Sequence, residues 1–469
     1  LVCFMLDRIF DNWCNEAAWL LQEATAAQID TVAEAFVFAG PFFVLNLANG
    51  NPIIIETNSN QMEKEGAHYQ PAPILGSVAQ WATGKPGSGP KVPAEVAKQI
   101  RDRLLGILFS QSFDILDRGI GSQADLNLGC EIALGFKQGP LELMQQLGET
   151  EVERIVERFA REKPDFPKPK QPLGEYLDFR RNVLVDSVDG VKIITLRRPQ
   201  AMNALSDRIN EEILSVLQQY AQDPETRGFV LTGYGLNAFS AGADIGRFPE
   251  VLGDREKAAQ YSRDCARVQR YMDRLDKPIV AAINGMALGG GLEVAIRCHA
   301  LVAVTGARLQ FPEITLGILP GIGGCVVPYR RWPEGAARFH EMICLGKPLA
   351  AEEAREVGMI RTIVDRHQDL LPEAIRLVKE LSGQSYRLPE GRVPIPEIVL
   401  PETPRAGKLA LSREAVATVA QTIRDAAACE DFDQALEVGY QGFGKIACLE
   451  AAREGISAFL EKRKPNFVA

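Results

Sequence analysis

Apolar residues in the first 165 positions recur at helical spacing, whereas beyond residue 181 they gather into short runs separated by turn residues. Ile9, Trp13 and Ala17 recur at four-residue steps, and Leu105, Phe109, Phe113 and Leu116 at steps of three or four, so each set predicts a long amphipathic helix. A second helix is predicted after each, starting near Ile29-Asp30 and near Leu126-Asn127. Gly40-Pro41 and Gly139-Pro140 then mark places where glycine ends one helix and proline opens the next. Laid side by side, Asp7 to Gly50 and Asp102 to Gly148 are one pattern used twice.

Residues 161–176, REKPDFPKPKQPLGEY, are rich in proline and charge, a composition that predicts an extended linker. The pattern then changes period. In NVLVDSVDGVKIITLRRP, Asp189-Gly190 separates two alternating runs and predicts a β-hairpin. Strands expected near 228–232, 278–283 and 301–304 alternate with helices expected near 204–221, 254–275 and 291–298, which argues for an α/β fold. A second proline-rich stretch, 388–404, reads as a flexible surface insertion. The resulting scheme has helical repeats at 1–95 and 96–165, a linker at 166–180 and an α/β domain at 181–469.

A chain of 469 residues, 46% of them hydrophobic, can bury more than one core. Its net charge of −9 speaks against a nucleic-acid partner or a basic membrane-binding face. Nine cysteines with no CxxC pair, and only four histidines, predict reduced thiols, no metal centre and a cytoplasmic setting. The sequence shows no signal peptide or membrane-spanning run. It opens at Leu1 directly in an apolar helical pattern, which reads as a fragment whose own N-terminus lies upstream.

The chemistry concentrates in NGMALGGGLEVAIR, Asn284 to Arg297. Gly289 to Gly291 follow a predicted strand and lead into helical spacing, so substrate can approach main-chain N–H groups that have no helical partner. Such donors suit a developing oxyanion. SAGADI, Ser240 to Ile245, is a second small-residue turn after a predicted strand and a source for a second donor. Glu293 follows the glycines, and Glu313 stands among apolar residues in FPEITLG, where desolvation raises a carboxyl pKa toward neutrality. Taken singly, Glu293 also reads as a helix-stabilising charge and the glycines as tight packing.

Five segments in order carry a resemblance to the crotonase (enoyl-CoA hydratase/isomerase) superfamily: RRPQAMNALS (197–206), FSAGADI (239–245), KPIVAAINGMALGGGLEVA (277–295), PEITLGILPGIGG (312–324) and FLEKRKPNF (459–467). The resemblance implies a spiral of ββα units, with main-chain N–H groups of Ala243 and Gly290 binding a thioester oxygen. It also implies that Glu293 and Glu313 share the acid/base work, as in hydratases, where Glu293 deprotonates water and Glu313 exchanges the proton at Cα. Asp244, Ile245, Phe459 and Lys462 match substrate- and CoA-binding positions, and Arg247 stands one residue beyond the place where many hydratases have a lysine. The expected substrate is a coenzyme A thioester, with no further cofactor, in a homo-oligomer. Isomerisation of an enoyl-CoA, or acyl-CoA binding without turnover, are the competing readings.

Residues 1 to 165 resemble the all-α C-terminal domain of 3-hydroxyacyl-CoA dehydrogenases. The chain has no GxGxxG after a strand, hence no visible NAD site, and the family's Asn-Arg reads Asp7-Arg8. His68 reads as a loop or surface residue. The resemblance implies a multifunctional parent whose dehydrogenase half lies outside this chain.

Overall fold

The computed structural model describes residues 3–384 and 386–467. It divides into two compact units, Leu1–Arg181 and Asn182–Ala469.

The first unit is helical: α1 (Met5–Trp19), α2 (Ala26–Ala33), α3 (Pro41–Ala48), α4 (Asn51–Glu65), α5 (Ala94–Asp117), α6 (Gln123–Ala133), α7 (Pro140–Leu147), α8 (Glu149–Glu162) and α9 (Leu173–Leu177). The duplicated sequence pattern is a duplicated arrangement of helices. Asp30 in α2 accepts the N–H groups of Phe42 and Phe43 at the start of α3, both at 2.9 Å. Asn127 in α6 does the same for Leu141 and Glu142 at the start of α7. Each side chain sits where a Cβ on the preceding glycine, Gly40 or Gly139, would collide with it, which is why glycine stands at both places. The two copies join through a bridge between Val37 and Phe136.

Two details differ from the sequence reading and a third, His68, agrees with it. Helices α2 and α6 begin three residues earlier than expected, because the hydroxyls of Thr25 and Ser122 accept the N–H groups of Gln28 and Asp125 as caps. The 166–180 stretch is not an open linker. Phe166, Leu173 and Tyr176 are buried in the helical core, and the Tyr176 hydroxyl donates to Asp117 at 2.7 Å. His68 lies in a short 3-10 turn, its ring packed against Tyr69 and Phe166. Replacing Asn127 by alanine leaves the first N–H groups of α7 unpaired. This is expected to destabilise the helical unit by about 0.5–2 kcal/mol, read as a lower urea midpoint with an unchanged slope.

The second unit holds two main sheets and a short antiparallel pair, Arg405–Ala406 with Leu409–Ala410. β1 (Val183–Val188), β2 (Val191–Leu196), β3 (Gly228–Gly233), β4 (Ala238–Ser240), β5 (Ile279–Ile283), β6 (Met286–Leu288), β7 (Ala300–Val304), β8 (Arg308–Gln310), β9 (Leu349–Ala350) and β10 (Thr362–Val364) follow in chain order. The larger sheet has the order β1-β2-β3-β5-β7-β10 and is parallel except for β1. β1 and β2 form the expected hairpin, with Asp189 and Gly190 both at positive φ. The smaller sheet has the order β4-β6-β8-β9, with the first three parallel. Strands β3, β5 and β7 of the large sheet thus turn corners into β4, β6 and β8 of the small one, and this repeated corner is the ββα spiral.

Side chains hold the corners. Asn284 donates to the carbonyls of Gly233 and Gly235 at 2.9 and 2.7 Å, and Asn203 donates to Tyr234 and Ala238. A Cβ on Gly285 would lie 2.2 Å from the Asn237 carbonyl oxygen, so only glycine passes there. The first helices of this unit are α10 (Asp207–Ala221), α11 (Arg255–Cys265), α12 (Arg267–Met272) and α13 (Gly289–Ala295). The single helix expected over 254–275 is therefore broken at Ala266, and α13 begins two residues earlier than expected. Residues 388–404 are held in place. Arg330 donates to the carbonyls of Pro389 and Gly391, and Ile398 is buried.

Candidate active site

Three neighbouring parallel strands of the small sheet deliver the segments singled out in the sequence. β4 leads into Ala241–Ala243, β6 into Gly289 and Gly290, and β8 into Phe311–Glu313. The first two run side by side. A Cβ on Gly290 would lie 3.3 Å from the Ala243 amide nitrogen, and one on Gly242 would lie 3.2 Å from the Leu288 carbonyl oxygen. In the bridge to Leu205, Gly242 offers its carbonyl and Asp244 its N–H. That leaves the Ala243 N–H facing away from the bridge. Gly290 is the second residue of α13, where N–H groups have no partner within the helix. The backbone therefore sets two adjacent donors beside one another, the arrangement an oxyanion requires.

Gly289 has φ of +48°, a conformation in which a side chain is strained, and a Cβ there would lie 2.6 Å from Glu313 Oε1. The glycine run therefore does two jobs. It exposes the donors and makes room for the acid from the next strand.

The two carboxyls differ in their surroundings. Glu293 is buried, and its Oε1 accepts the N–H groups of Ile322 at 2.8 Å and Gly324 at 2.7 Å. Burial raises its pKa above the ordinary carboxylate range. These two N–H groups and the Arg297 guanidinium pull the other way without cancelling the rise. Arg297, itself buried, is paired with Asp273. Glu313 is half-buried, and its Oε2 is closed off and has no hydrogen-bond partner among the described residues. Burial, and then the neighbouring charge of Glu293, push its pKa well up. Two nearby carboxyls of unequal environment are the usual arrangement for one base and one acid.

Both acids and both donors line one cavity of about 510 Å³, within the size range of small-molecule sites. Asp244, Ile245 and Phe459 line it as well; Lys462 does not, and lies exposed just past the helix Glu450–Leu460. Burial alone would raise the Asp244 carboxyl, but the Gly246 N–H and the Arg198 guanidinium, 2.8 Å away, hold it below its ordinary value. Arg247 is paired with Asp207 and is not among the lining residues. The rest of the wall is mostly apolar and includes Phe248, Tyr261 and Phe443.

A probable enoyl-CoA hydratase of Bacillus subtilis (strain 168) is 34% identical to this chain over 282 residues, covering 59% of the chain and 95% of that protein. The chain belongs to the enoyl-CoA hydratase/isomerase family. The family's model matches residues 186–388, which contain both acids and both main-chain donors. A crotonyl-CoA hydratase of Syntrophomonas wolfei subsp. wolfei is 31% identical over 61% of this chain and 98% of its own length. Among solved structures, an enoyl-CoA hydratase from Bacillus anthracis is 28% identical over 61% of this chain and 98% of that one, with a TM-score of 0.40.

Sequence reasoning missed the clamp on Glu293. The glycines of LGILPGIGG were visible, but nothing local shows that Ile322 and Gly324 turn their N–H groups onto a residue 29 and 31 positions earlier. It also missed Arg198, whose partner Asp244 is 46 positions away by number. Among the described residues no cluster of histidine, cysteine or acid is suited to a metal, and no helix is long and apolar enough to cross a membrane.

Proposed function

We propose that the chain is a hydro-lyase that adds water to the double bond of 2-enoyl-CoA thioesters, giving 3-hydroxyacyl-CoA without a further cofactor. The observation that carries this reading is the convergence of Glu293, Glu313 and two adjacent main-chain donors on one mostly apolar cavity. Charge accounting assigns the roles. As water adds to Cβ, negative charge gathers on the thioester oxygen, and the N–H groups of Ala243 and Gly290 stabilise it. Glu293, held toward its ionised form by two N–H groups, takes the proton from water. Glu313, whose buried Oε2 favours the neutral form, gives a proton to Cα. Asp244, Ile245 and Phe459 border the cavity and are the residues we assign to thioester and CoA contacts. Lys462 is assigned to the nucleotide end on resemblance alone.

The test is loss of the conjugated enoyl absorbance of crotonyl-CoA on mixing with the protein, with no nicotinamide present. A product heavier by one water supports the reading, and unchanged substrate rejects it. The pH dependence follows from the same assignment. Glu293 must be ionised to act and its pKa is raised, so kcat/KM is expected to fall on acidification well above the usual carboxylate range near about 4.3. It is expected to fall again in alkali as Glu313 loses its proton. A rate flat from pH 5 to 9 contradicts the assignment of Glu293 as the base.

One observation favours a second reading, migration of the double bond by one acid. The unpartnered carboxyl oxygen belongs to Glu313, while Glu293 is clamped. That reading requires turnover of 3-enoyl-CoA with no gain of water.

For the helical unit, the paired Asp30 and Asn127 caps and the duplicated helix order support a counterpart of the C-terminal domain of 3-hydroxyacyl-CoA dehydrogenases. On this reading the hydrated product is the substrate of a dehydrogenase half outside this chain. Assembly as a homo-oligomer and a cytoplasmic setting complete the proposal.

A further inference from the structure

The peptide unit between Gly321 and Ile322 is used from both sides. Its N–H donates to Glu293 Oε1 at 2.8 Å, and its carbonyl oxygen accepts the hydroxyl of Ser262. Ser262 is buried, in the last turns of α11, and a Cβ on Gly321 would lie 2.9 Å from its Oγ and 2.7 Å from the Phe443 ring. A trans peptide is planar, with its C=O and N–H pointing in opposite directions. Whatever fixes the carbonyl therefore fixes the N–H. Gly321 has no side chain to resist rotation of that plane, and rotation would turn a carbonyl oxygen toward the Glu293 carboxylate.

We propose that Ser262 is a positioning residue for Glu293, acting through the Gly321–Ile322 peptide. The inference rests on the hydratase reading for its kinetic consequence, although the contact itself does not. The chain of donors runs Ser262 O–H to Gly321 C=O, then Ile322 N–H to Glu293 Oε1. Bonds in series polarise one another, so the hydroxyl strengthens the N–H donor as well as aiming it. Loss of the hydroxyl leaves a buried carbonyl unpaired and frees the plane to turn. Glu293 then loses one of its main-chain donors, its ionised form is less favoured, and its direction toward the water is lost.

Helix α11 adds a second consequence. Tyr261 and Cys265, on either side of Ser262, line the cavity in which the acyl chain would lie, as does Ser262 itself. A substrate that presses on α11 therefore presses on the element that orients the base.

The groups facing Glu293 are Glu313, Arg297 just past the end of α13, and the buried Cys325 and Tyr440. Replacing Ser262 alters none of them. Ser262→Ala is expected to lower kcat for crotonyl-CoA hydration about tenfold, the effect of one hydrogen bond to a charged group, with little change in KM. It is also expected to move the acid limb of the pH profile upward by about one unit. Ser262→Thr, which keeps the hydroxyl, should return the acid limb to its wild-type position. An unmoved acid limb in Ser262→Ala overturns the proposal, whether or not kcat falls, and so does failure of threonine to restore it. If the wild-type protein hydrates nothing, the hydratase reading fails by itself. The carboxyl band of Glu293, identified by infrared difference against Glu293→Gln, must then still titrate at higher pH in Ser262→Ala, or the positioning role fails too.

Discussion

Glu313→Gln is expected to slow hydration of 2-enoyl-CoA by about a hundredfold to ten-thousandfold, the range for loss of a positioned acid. The amide is nearly isosteric and keeps the contact over Gly289, where the Glu313 carboxyl packs against the glycine's open face. It cannot give a proton to Cα. The missing term belongs to the transition state, so kcat and kcat/KM should fall together while KM stays near its wild-type value. The fold should be indifferent, because Oε2 of Glu313 holds no hydrogen bond among the described residues. Steady-state kinetics at several pH values check this, and the alkaline limb should vanish with the residue that causes it. A variant within threefold of wild type would remove Glu313 from the chemistry.

The second large effect is that of Gly290→Pro, which deletes one donor from the pair formed with Ala243. Loss of one oxyanion donor costs about a hundredfold to a thousandfold in kcat. Proline is tolerated early in a helix, where the N–H has no intrahelical partner to lose, and Gly290 is the second residue of α13. Gly290→Ala is the informative companion. It keeps the N–H but sets a Cβ 3.3 Å from the Ala243 nitrogen, crowding the very space between the donors. Both variants should be slow, and proline the slower. Circular dichroism and melting temperature separate lost chemistry from lost fold. Unchanged turnover in the proline variant would exclude Gly290 from the oxyanion hole.

Much of this was legible because the relevant physics is local. The hairpin at Asp189-Gly190 needs positive φ at both central residues, and Asp-Gly announces that need in two letters. The small-residue turns after β4 and β6 are legible for the same reason, since close approach of two backbones leaves no room for side chains. The early starts of α2 and α6 were also written locally, in Thr25 and Ser122, but apolar spacing outweighed the caps in the reading. What stayed hidden depends on tertiary contacts. Proline and charge in 166–180 read as an open linker, yet Tyr176 and Phe166 find a core to enter. The 388–404 stretch looked mobile, yet Arg330 reaches 59 residues along the chain to its carbonyls. The Ser262 relay spans 59 residues as well. No periodicity encodes such pairs, because each side chain has an ordinary alternative role at its own position.

The central claim is that two acids and two main-chain donors add water across the enoyl double bond. It is tested most directly by incubating crotonyl-CoA with the protein in ¹⁸O-labelled heavy water and locating the isotopes in the product. The account predicts a 3-hydroxybutyryl-CoA with ¹⁸O on Cβ and deuterium on Cα, and no incorporation with the Glu293→Gln, Glu313→Gln double variant. Deuterium at Cγ with no oxygen gained would identify double-bond migration and contradict the account.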